Sequence, residues 1–363
     1  YADVQTQQGI NNTQSPGFIE ISSGDTLIYG GSANAGIDGT VLFDPKNITI
    51  TDARSSDGIS QYNLVLGYGY ADIPGFSSKA DLSQYDYFGY SVSLDDTRLA
   101  VGAYASDGFG DSLSSSGAVY LFTFGDLQFN SPSLASVIGA GYTGGNNIDL
   151  SGQLEALDSF GASVSLDGNR LAVSAADDDG FGNILDGNGA VYLFSFGDSS
   201  FSSPVHSATI GAGYTGGNNL DLSGVLDLYD EFGVSVSLDG TRLAVGAHGD
   251  DGVSNTLNYS GAVYLFEFSD LSFNNPTISA TIGAGYTGGN NLDLTGVLDA
   301  GDGFGYSVSL DGGRLAASAP WGDDGAGNVF SNRGAVYLFE FSDLSFSNPT
   351  LSATLGAGYT GGN

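Results

Sequence analysis

Three short blocks decide the fold: FGVSVSLD at residues 232–239, RLAVGA at residues 242–247 and GAVYLF at residues 261–266. The first block alternates polar and apolar residues, and Asp239-Gly240 then supplies a tight turn before the second block returns. In the third block, Val263 and Leu265 fall on one face and Tyr264 and Phe266 on the other. This pattern predicts a hairpin followed by a strand that is covered on both faces.

The three blocks recur along the chain, together with a Gly-rich GAGYTGGN segment. The leading Phe-Gly pairs are 72 residues apart, and they begin at Phe88, Phe160, Phe232 and Phe304. A one-residue insertion near Pro320-Trp321 lengthens the fourth unit. Residues 61–87 resemble the tail half of an earlier unit, which makes residues 61–363 a tandem-repeat domain preceded by a β-rich lead-in at residues 1–60.

The predicted fold class is all-β. The chain has 58 Gly, no Met and only five Glu among its 41 acidic residues, so it lacks most residues that favour helices. Each 72-residue unit reads as four short antiparallel strands covered on both faces, which indicates β-propeller-like blades. The alternative is an open rod of β repeats that does not curve into blades around an axis.

Composition excludes several functions. Eight basic and 41 acidic residues give a net charge of −33, which disfavours nucleic acid as a partner because phosphate binding needs clustered Lys and Arg. The absence of Cys excludes disulfides and zinc-thiolate sites. The sequence has no long apolar run, so we expect no membrane insertion. Because the chain begins at Tyr1 and contains no Met, we expect it to be a processed or excised piece of a larger protein.

The order of FG, then VGA or SAP (residues 245–247 and 318–320), then GAVYLF resembles the bacterial FG-GAP repeats, which are similar to the blades of integrin α-subunit propellers. The resemblance implies a propeller and calcium in loops of the form DxDxDG. Residues 39–50 also resemble a segment of filamentous-haemagglutinin-like exoproteins. That likeness implies a surface protein exported across a bacterial outer membrane, with the lead-in forming a β-helix end or an interaction segment.

The loop between the second and third blocks is the candidate metal site. It places carboxylates and amides around a Gly in each unit, and calcium prefers six to eight such oxygens. The second unit, with Asp177 and Asp179 before Gly180, comes nearest to the density of Asp residues in the DxDxDG loops of integrin-type blades. The candidate ligands are Asp107, Asp111, Asp177, Asp179, Asn183, Asp251, Asn255, Asp324 and Asn328. The alternative is that each Asp-Gly pair makes a tight turn whose side chain caps its own backbone.

Other repeated and single residues have simpler readings. Arg98, Arg170, Arg242 and Arg314 occupy equivalent positions in the four units, and we expect them to clamp neighbouring Asp side chains or loop carbonyls.

The G-x-G-x-x-G pattern in GAGYTGG is not followed by a helix, so it predicts a loop. We expect its Tyr to pack between units, with an exposed contact as the alternative. Neither His206 nor His248 belongs to a repeated constellation, and Glu155 and Glu231 read as loop charges. Trp321, in the insertion, is a candidate sugar contact, with ordinary packing as the alternative.

These features predict an extracellular, non-enzymatic structural or adhesive protein of a bacterial cell surface. Near-identical units suit a surface that makes the same contact many times, so we expect self-association into fibres or layers, stabilised by calcium. The alternative is a discrete propeller that binds a glycan or a surface protein at one rim. An enzyme acting on acidic or carbohydrate substrates is a third hypothesis, which no distinct catalytic pair in the sequence supports.

Overall fold

A computed structural model describes residues 65–68, 70, 72–77, 81–183, 185–322 and 333–356, together with the backbone of two strands in the lead-in. The chain divides into two compact parts, residues 1–63 and residues 64–363. In the first part, β1 (Phe18–Ile28) and β2 (Thr40–Thr49) pair in parallel. The likeness of residues 39–50 to haemagglutinin-like exoproteins stays a prediction.

The second part contains four sheets, one for each predicted unit. The strands of the first two sheets are β3 (Ser91–Asp95), β4 (Arg98–Ala103), β5 (Ala118–Thr123), β6 (Ser133–Gly139), β7 (Ile148–Asp149), β8 (Phe160–Asp167), β9 (Arg170–Ala175), β10 (Ala190–Ser195), β11 (Val205–Gly211) and β12 (Leu220–Asp221). Those of the other two are β13 (Phe232–Asp239), β14 (Arg242–Ala247), β15 (Ala262–Glu267), β16 (Thr277–Gly283), β17 (Leu292–Asp293), β18 (Val308–Asp311), β19 (Arg314–Ala319), β20 (Ala335–Glu340) and β21 (Thr350–Gly356).

Each sheet follows the chain order, and its first four strands are antiparallel, as predicted. In the first three sheets a two-residue fifth strand adds in parallel to the fourth, as in Ile210 opposite Leu220. This strand was not predicted, because it lies in the Gly-rich segment that reads as a loop. It is held by Asn219, whose Oδ1 accepts the Thr209 N–H at 2.8 Å.

The third strand of each sheet forms the core. Residues 262–266 of β15 have no solvent-exposed surface, which confirms that both faces of GAVYLF are covered. Val191 and Leu193 on β10 pack with Phe232 and Val245 of the next unit, and the same contact recurs between the other consecutive sheets. Consecutive sheets therefore bury their facing apolar sides against each other and not against a separate layer.

The half unit before Phe88 packs like its full counterparts. Leu82 is 3% exposed and covers the first sheet beside Phe76 and Val101. Its equivalents 72 residues apart are also buried, at Leu154, Leu226 and Leu298. These contacts support the interpretation that the tail of an earlier unit precedes the first sheet.

The first strands of consecutive sheets lie side by side. The hydroxyls of Ser163 and Ser165 on β8 accept the backbone N–H groups of Val236 at 3.1 Å and Leu238 at 2.9 Å on β13. The serines of the SVS pattern thus supply the contacts between neighbouring first strands. This is the blade-like arrangement that the sequence predicts.

In the first three units, an arginine of one unit bonds to the hairpin turn of the next, a contact that we call the arginine staple. In the second unit, Arg170 forms an ion pair with Asp167 and donates to the carbonyl of Gly240 in the following hairpin turn. Asp167 also accepts the Gly240 N–H at 2.8 Å, and the guanidinium lies 5.8 Å from the centre of the Phe273 ring. Arg98 and Arg242 make the equivalent contacts. The predicted clamp is confirmed, and its carbonyl partner belongs to the neighbouring unit.

Candidate functional site

The Asp-rich loop of the second unit turns one carboxylate inward. Asp178 is 2% exposed, and its Oδ1 accepts the Gly180 N–H at 2.7 Å. Its Oδ2 accepts hydrogen bonds from the hydroxyls of Tyr192 at 2.8 Å and Tyr214 at 2.9 Å. Tyr192 belongs to GAVYLF and Tyr214 to GAGYTGG, so both segments meet the Asp-rich loop at this carboxylate.

The third unit repeats this arrangement with Asp250, which accepts hydrogen bonds from Tyr264 at 2.6 Å and Tyr286 at 2.7 Å. The first unit has Ser106 at the equivalent position, and there the hydroxyls of Tyr120 and Tyr142 lie 3.2 Å apart. Of the repeated Tyr residues of GAGYTGG, Tyr214 is buried, and Tyr142 and Tyr286 are partly buried against the core. The fourth copy, Tyr359, lies outside the described residues.

The next Asp in each loop closes the loop on itself. Asp107, Asp179 and Asp251 each use Oδ1 to accept a backbone N–H eight residues later, at 2.6–2.7 Å. This is the capping role that the alternative reading of the Asp-Gly pairs predicts.

The polar residue three positions after the Gly reaches an adjacent loop. Asn183 donates to Glu155, and Asn255 donates to Asp227 at 2.9 Å. In the first unit, Asp111 accepts a hydrogen bond from Ser83 at 3.2 Å. These partners are 28 residues earlier in the chain, so the contact joins the end of one unit to the loop of the next.

The loops enclose an acidic pocket at this junction. A cavity of about 330 Å³ is lined by Glu155, Asp158, Asp178, Asp179 and Asn183, among others. Burial, and then the charge of Asp178, raises the pKa of Asp158 to about 7. At the next junction, burial and the charge of Asp250 raise the pKa of Asp230 to about 8. Carboxylates this close cannot all ionise without a cost.

The lining of the pocket is rich in oxygen atoms, which are the donors that a hard cation prefers. Both polar atoms of the adjacent Asn188 side chain are buried without a hydrogen-bond partner. The Asn188 Nδ2 lies 3.4 Å from the position a Cβ on Gly180 would take. Within the described residues, no three His, Asp or Glu side chains already stand in a metal-binding arrangement. Asp324 and Asn328 lie outside those residues.

Asp177 and Trp321 belong to a different place in the structure. The charge of Asp177 raises the pKa of Glu231, after the larger effect of burial, to about 7. His248 Nδ1 lies 3.4 Å from Glu231 Oε2, and its ring centre is 5.5 Å from that of Trp321. Sequence reasoning missed this group because it treated Glu231 as a loop charge and set His248 aside as unrepeated.

The comparisons with known proteins agree with the repeats. An FG-GAP repeat matches four times, at residues 78–122, 151–194, 227–266 and 298–339. No curated protein matches the chain. Across the part of the chain that is described, no helix is long and apolar enough to cross a membrane.

Two solved structures show weak similarity. A thermostable family-43 glycoside hydrolase is 14% identical with a TM-score of 0.35, over 73% of this chain and 71% of that one. The BlXynB family-43 protein from Bacillus licheniformis is 12% identical with a TM-score of 0.32, over 72% of this chain and 40% of that one. At these scores the similarities carry no functional weight. Each sequence match covers the first three strands of one sheet, and residues 78–339 therefore contain four FG-GAP repeats.

Proposed function

We propose that this chain is a non-enzymatic, extracellular adhesive or structural protein of a bacterial surface. The observation that carries the proposal is the recurrence of exposed apolar side chains at equivalent positions. Phe109, Phe181 and Val253 are 65%, 66% and 56% exposed, and Tyr85, Leu157 and Tyr229 are 71%, 64% and 51% exposed. Exposed apolar positions repeated at a fixed spacing suit a partner surface that is itself repetitive.

Among the described residues, the first and fourth sheets each have an exposed face, and we propose that copies associate through these faces. Val92 and Leu94 on β3 are 63% and 54% exposed, whereas Val164 and Leu166 on β8 are 7% exposed beneath the preceding sheet. On the fourth sheet, the side chain of Arg314 is 71% exposed. The first sheet of one copy can thus dock on the fourth sheet of another through the contact that already joins neighbouring units. Such a head-to-tail contact is heterologous and allows fibres to grow.

Sedimentation velocity tests this association. We expect Arg314→Glu and Val92→Glu each to leave the chain monomeric, because each variant damages one of the two docking faces. An equimolar mixture of the two variants is expected to form dimers, since each retains the face that the other lacks. A parent chain that stays monomeric at all concentrations, or variants that polymerise as the parent does, would contradict the proposal.

We also propose that calcium stabilises the repeats by occupying the acidic pockets. In the pocket of the second unit, Glu155, Asp158, Asp178 and Asp179 would hold the ion, which would neutralise carboxylates that otherwise repel one another. An ion that binds only the folded state raises the free energy of unfolding. The expected result is a melting temperature that rises with calcium concentration and returns to its original value in chelator.

The pH dependence of stability gives a sharper prediction. The pKa of Asp158 is about 7 in the folded chain against an ordinary value of 3.8, so the folded state binds an extra proton between these pH values. Without calcium, stability is therefore expected to fall as pH rises from about 4 to 8. Asp158→Asn, measured by thermal unfolding, should raise the melting temperature at pH 8 and flatten this dependence.

The matched control is Asp96→Asn, which removes the same charge from an exposed turn. Asp96 has a φ of 52°, a conformation that Asn adopts readily. It should leave the slope with pH unchanged, and calcium at pH 8 should stabilise this variant more than Asp158→Asn. A lower melting temperature for Asp158→Asn at pH 8 without calcium would show that the Asp158 charge does not destabilise the fold.

A second candidate function is a discrete propeller that binds a glycan or protein at one rim. Trp321 favours it, because the residue is 40% exposed and its ring centre lies 5.2 Å from that of Tyr306, which is also 40% exposed. These aromatic faces do not recur in every unit. They therefore suit one specific ligand better than a repetitive surface.

A further inference from the structure

Several residues that differ from their equivalents in the other units lie close together, and we call them the central group. It consists of Tyr90, Asp177, Glu231, His248, Tyr306 and Trp321, and all four units contribute to it. Burial raises the pKa of Tyr90, and further increases come from Tyr306, Tyr104, Asp177 and Glu231. The first and fourth units are therefore close enough here to act on each other electrostatically.

The Tyr306 ring stands at a steep angle to two other rings of the central group. Tyr306 and Trp321 meet at 78° with ring centres 5.2 Å apart, and His248 meets Tyr306 at 85° and 5.5 Å. Tyr90 is 58% exposed. Gly303 makes room for the indole, because a Cβ at that position would lie 2.4 Å from the Trp321 ring. The indole is thus seated against the backbone with part of its surface open to solvent.

The central group has acidic side chains without a matching positive charge. Burial lowers the pKa of His248, so this imidazole is neutral at pH 7, and its buried Nδ1 has no hydrogen-bond partner. The Nδ1 faces Glu231 Oε2 at 3.4 Å without hydrogen-bond geometry. Asp177 is exposed beside them and adds a second carboxylate. His248 is the only basic side chain among these six residues.

We propose that the central group binds an organic cation, an ammonium or guanidinium group, between its aromatic faces and its carboxylates. Aromatic faces attract such cations most strongly where water is partly excluded, and a nearby carboxylate adds a charge-assisted hydrogen bond. A neutral sugar could stack on Trp321, but it would leave the two carboxylates uncompensated. This inference rests on the second candidate function and is independent of the acidic pockets and of self-association.

The test uses the fluorescence of Trp321, which is the only Trp in the chain. The probes are tetramethylammonium, a lysine-containing peptide, and glucose and galactose as neutral sugars. We expect a saturable change with both cations and none with the sugars. The peptide should bind more tightly if the cation belongs to a protein partner, and tetramethylammonium if it belongs to a small molecule; either result supports the site.

Variants assign the contributions. Glu231→Gln removes one charge contact and Tyr306→Leu removes one aromatic face. Each variant is expected to weaken cation binding about fivefold. Affinity should rise from pH 6 to 8 in the parent, as Glu231 loses its proton while facing Asp177, His248 and Tyr90, and this rise should vanish in Glu231→Gln. Phe129→Leu, which changes an exposed ring that contacts Phe124 and not the central group, is the control and should change nothing.

Two results would overturn the inference. Saturable binding of a neutral sugar without binding of either cation would replace the cation site with a sugar site, and the second candidate function would stand. No response to any probe, in a parent chain whose circular dichroism and melting temperature show it to be folded, would remove both the cation site and its functional basis.

Discussion

Replacing Gly189 by alanine is expected to prevent stable folding of the repeat domain, or to lower its free energy of unfolding by more than about 4 kcal/mol. A Cβ at this position would lie 2.0 Å from the Phe232 carbonyl oxygen and 2.6 Å from its nitrogen. These are backbone atoms of the next unit, where Phe232 is fully buried, so no side-chain rotation relieves the clash. Urea unfolding followed by circular dichroism measures the loss.

The control for this prediction is Gly216→Ala. Gly216 has a φ of 81°, close to the 84° of Gly189, but a Cβ there would meet nothing within 4 Å. Alanine at Gly216 should therefore lower the free energy of unfolding only by the cost of a left-handed backbone, about 1 kcal/mol. Equal losses for the two variants would show that backbone conformation, and not the approach of neighbouring units, makes Gly189 necessary.

Most of the sheet structure could be predicted from the sequence because it is local. The Asp239-Gly240 turn joins β13 to β14 with Asp239 opposite Arg242, as the alternation and the turn residues indicate. Contacts between units are not local. The carbonyl that accepts the hydrogen bond from Arg170 is at Gly240, 70 residues away, and only the packing of two sheets brings them together.

The acidic pocket could be predicted only in part. The sequence identified the Asp-rich loop that lines the pocket, but local spacing does not show which carboxylate turns inward. Asp178 does so because Tyr192 and Tyr214 hydroxyls converge on it from 14 and 36 residues away. The charge of Asp177, one residue earlier, acts instead on Glu231 of the central group. Calcium binding stays a prediction.

The central group was missed for a different reason. Aligning repeats emphasises what the units share, and these residues are the ones that the units do not share. His248 occupies a position held by Tyr104 and Ala176 in other units. Its proximity to Glu231 and Trp321 depends on how consecutive sheets pack, which periodicity alone does not specify.

The second large effect is expected for Arg170→Ala, which removes one arginine staple. The Arg170 side chain is 8% exposed, and its loss leaves the Gly240 carbonyl and half-buried Asp167 without their cationic partner. The Asp167 side chain is 36% exposed, so the cost comes mainly from losing the charge-assisted hydrogen bond to Gly240 and the packing of the buried guanidinium over Phe273. We expect the free energy of unfolding, measured in urea, to fall by about 3 kcal/mol. Arg170→Lys should recover part of this, since an ammonium cannot make the same two-sided contact.

Arg314→Ala is the matched control, because Arg314 pairs with Asp311 as Arg170 pairs with Asp167 but no following unit covers it in the described structure. The Arg314 and Asp311 side chains are 71% and 79% exposed. An exposed pair contributes about 0–1 kcal/mol, so this variant should unfold almost as the parent does at concentrations where the chain is monomeric. A small loss in both variants would show that the apolar contacts between sheets, and not the arginine, provide most of the stability of the repeat domain. A large loss only at Arg170 would establish that the arginine stabilises the fold by joining one unit to the next.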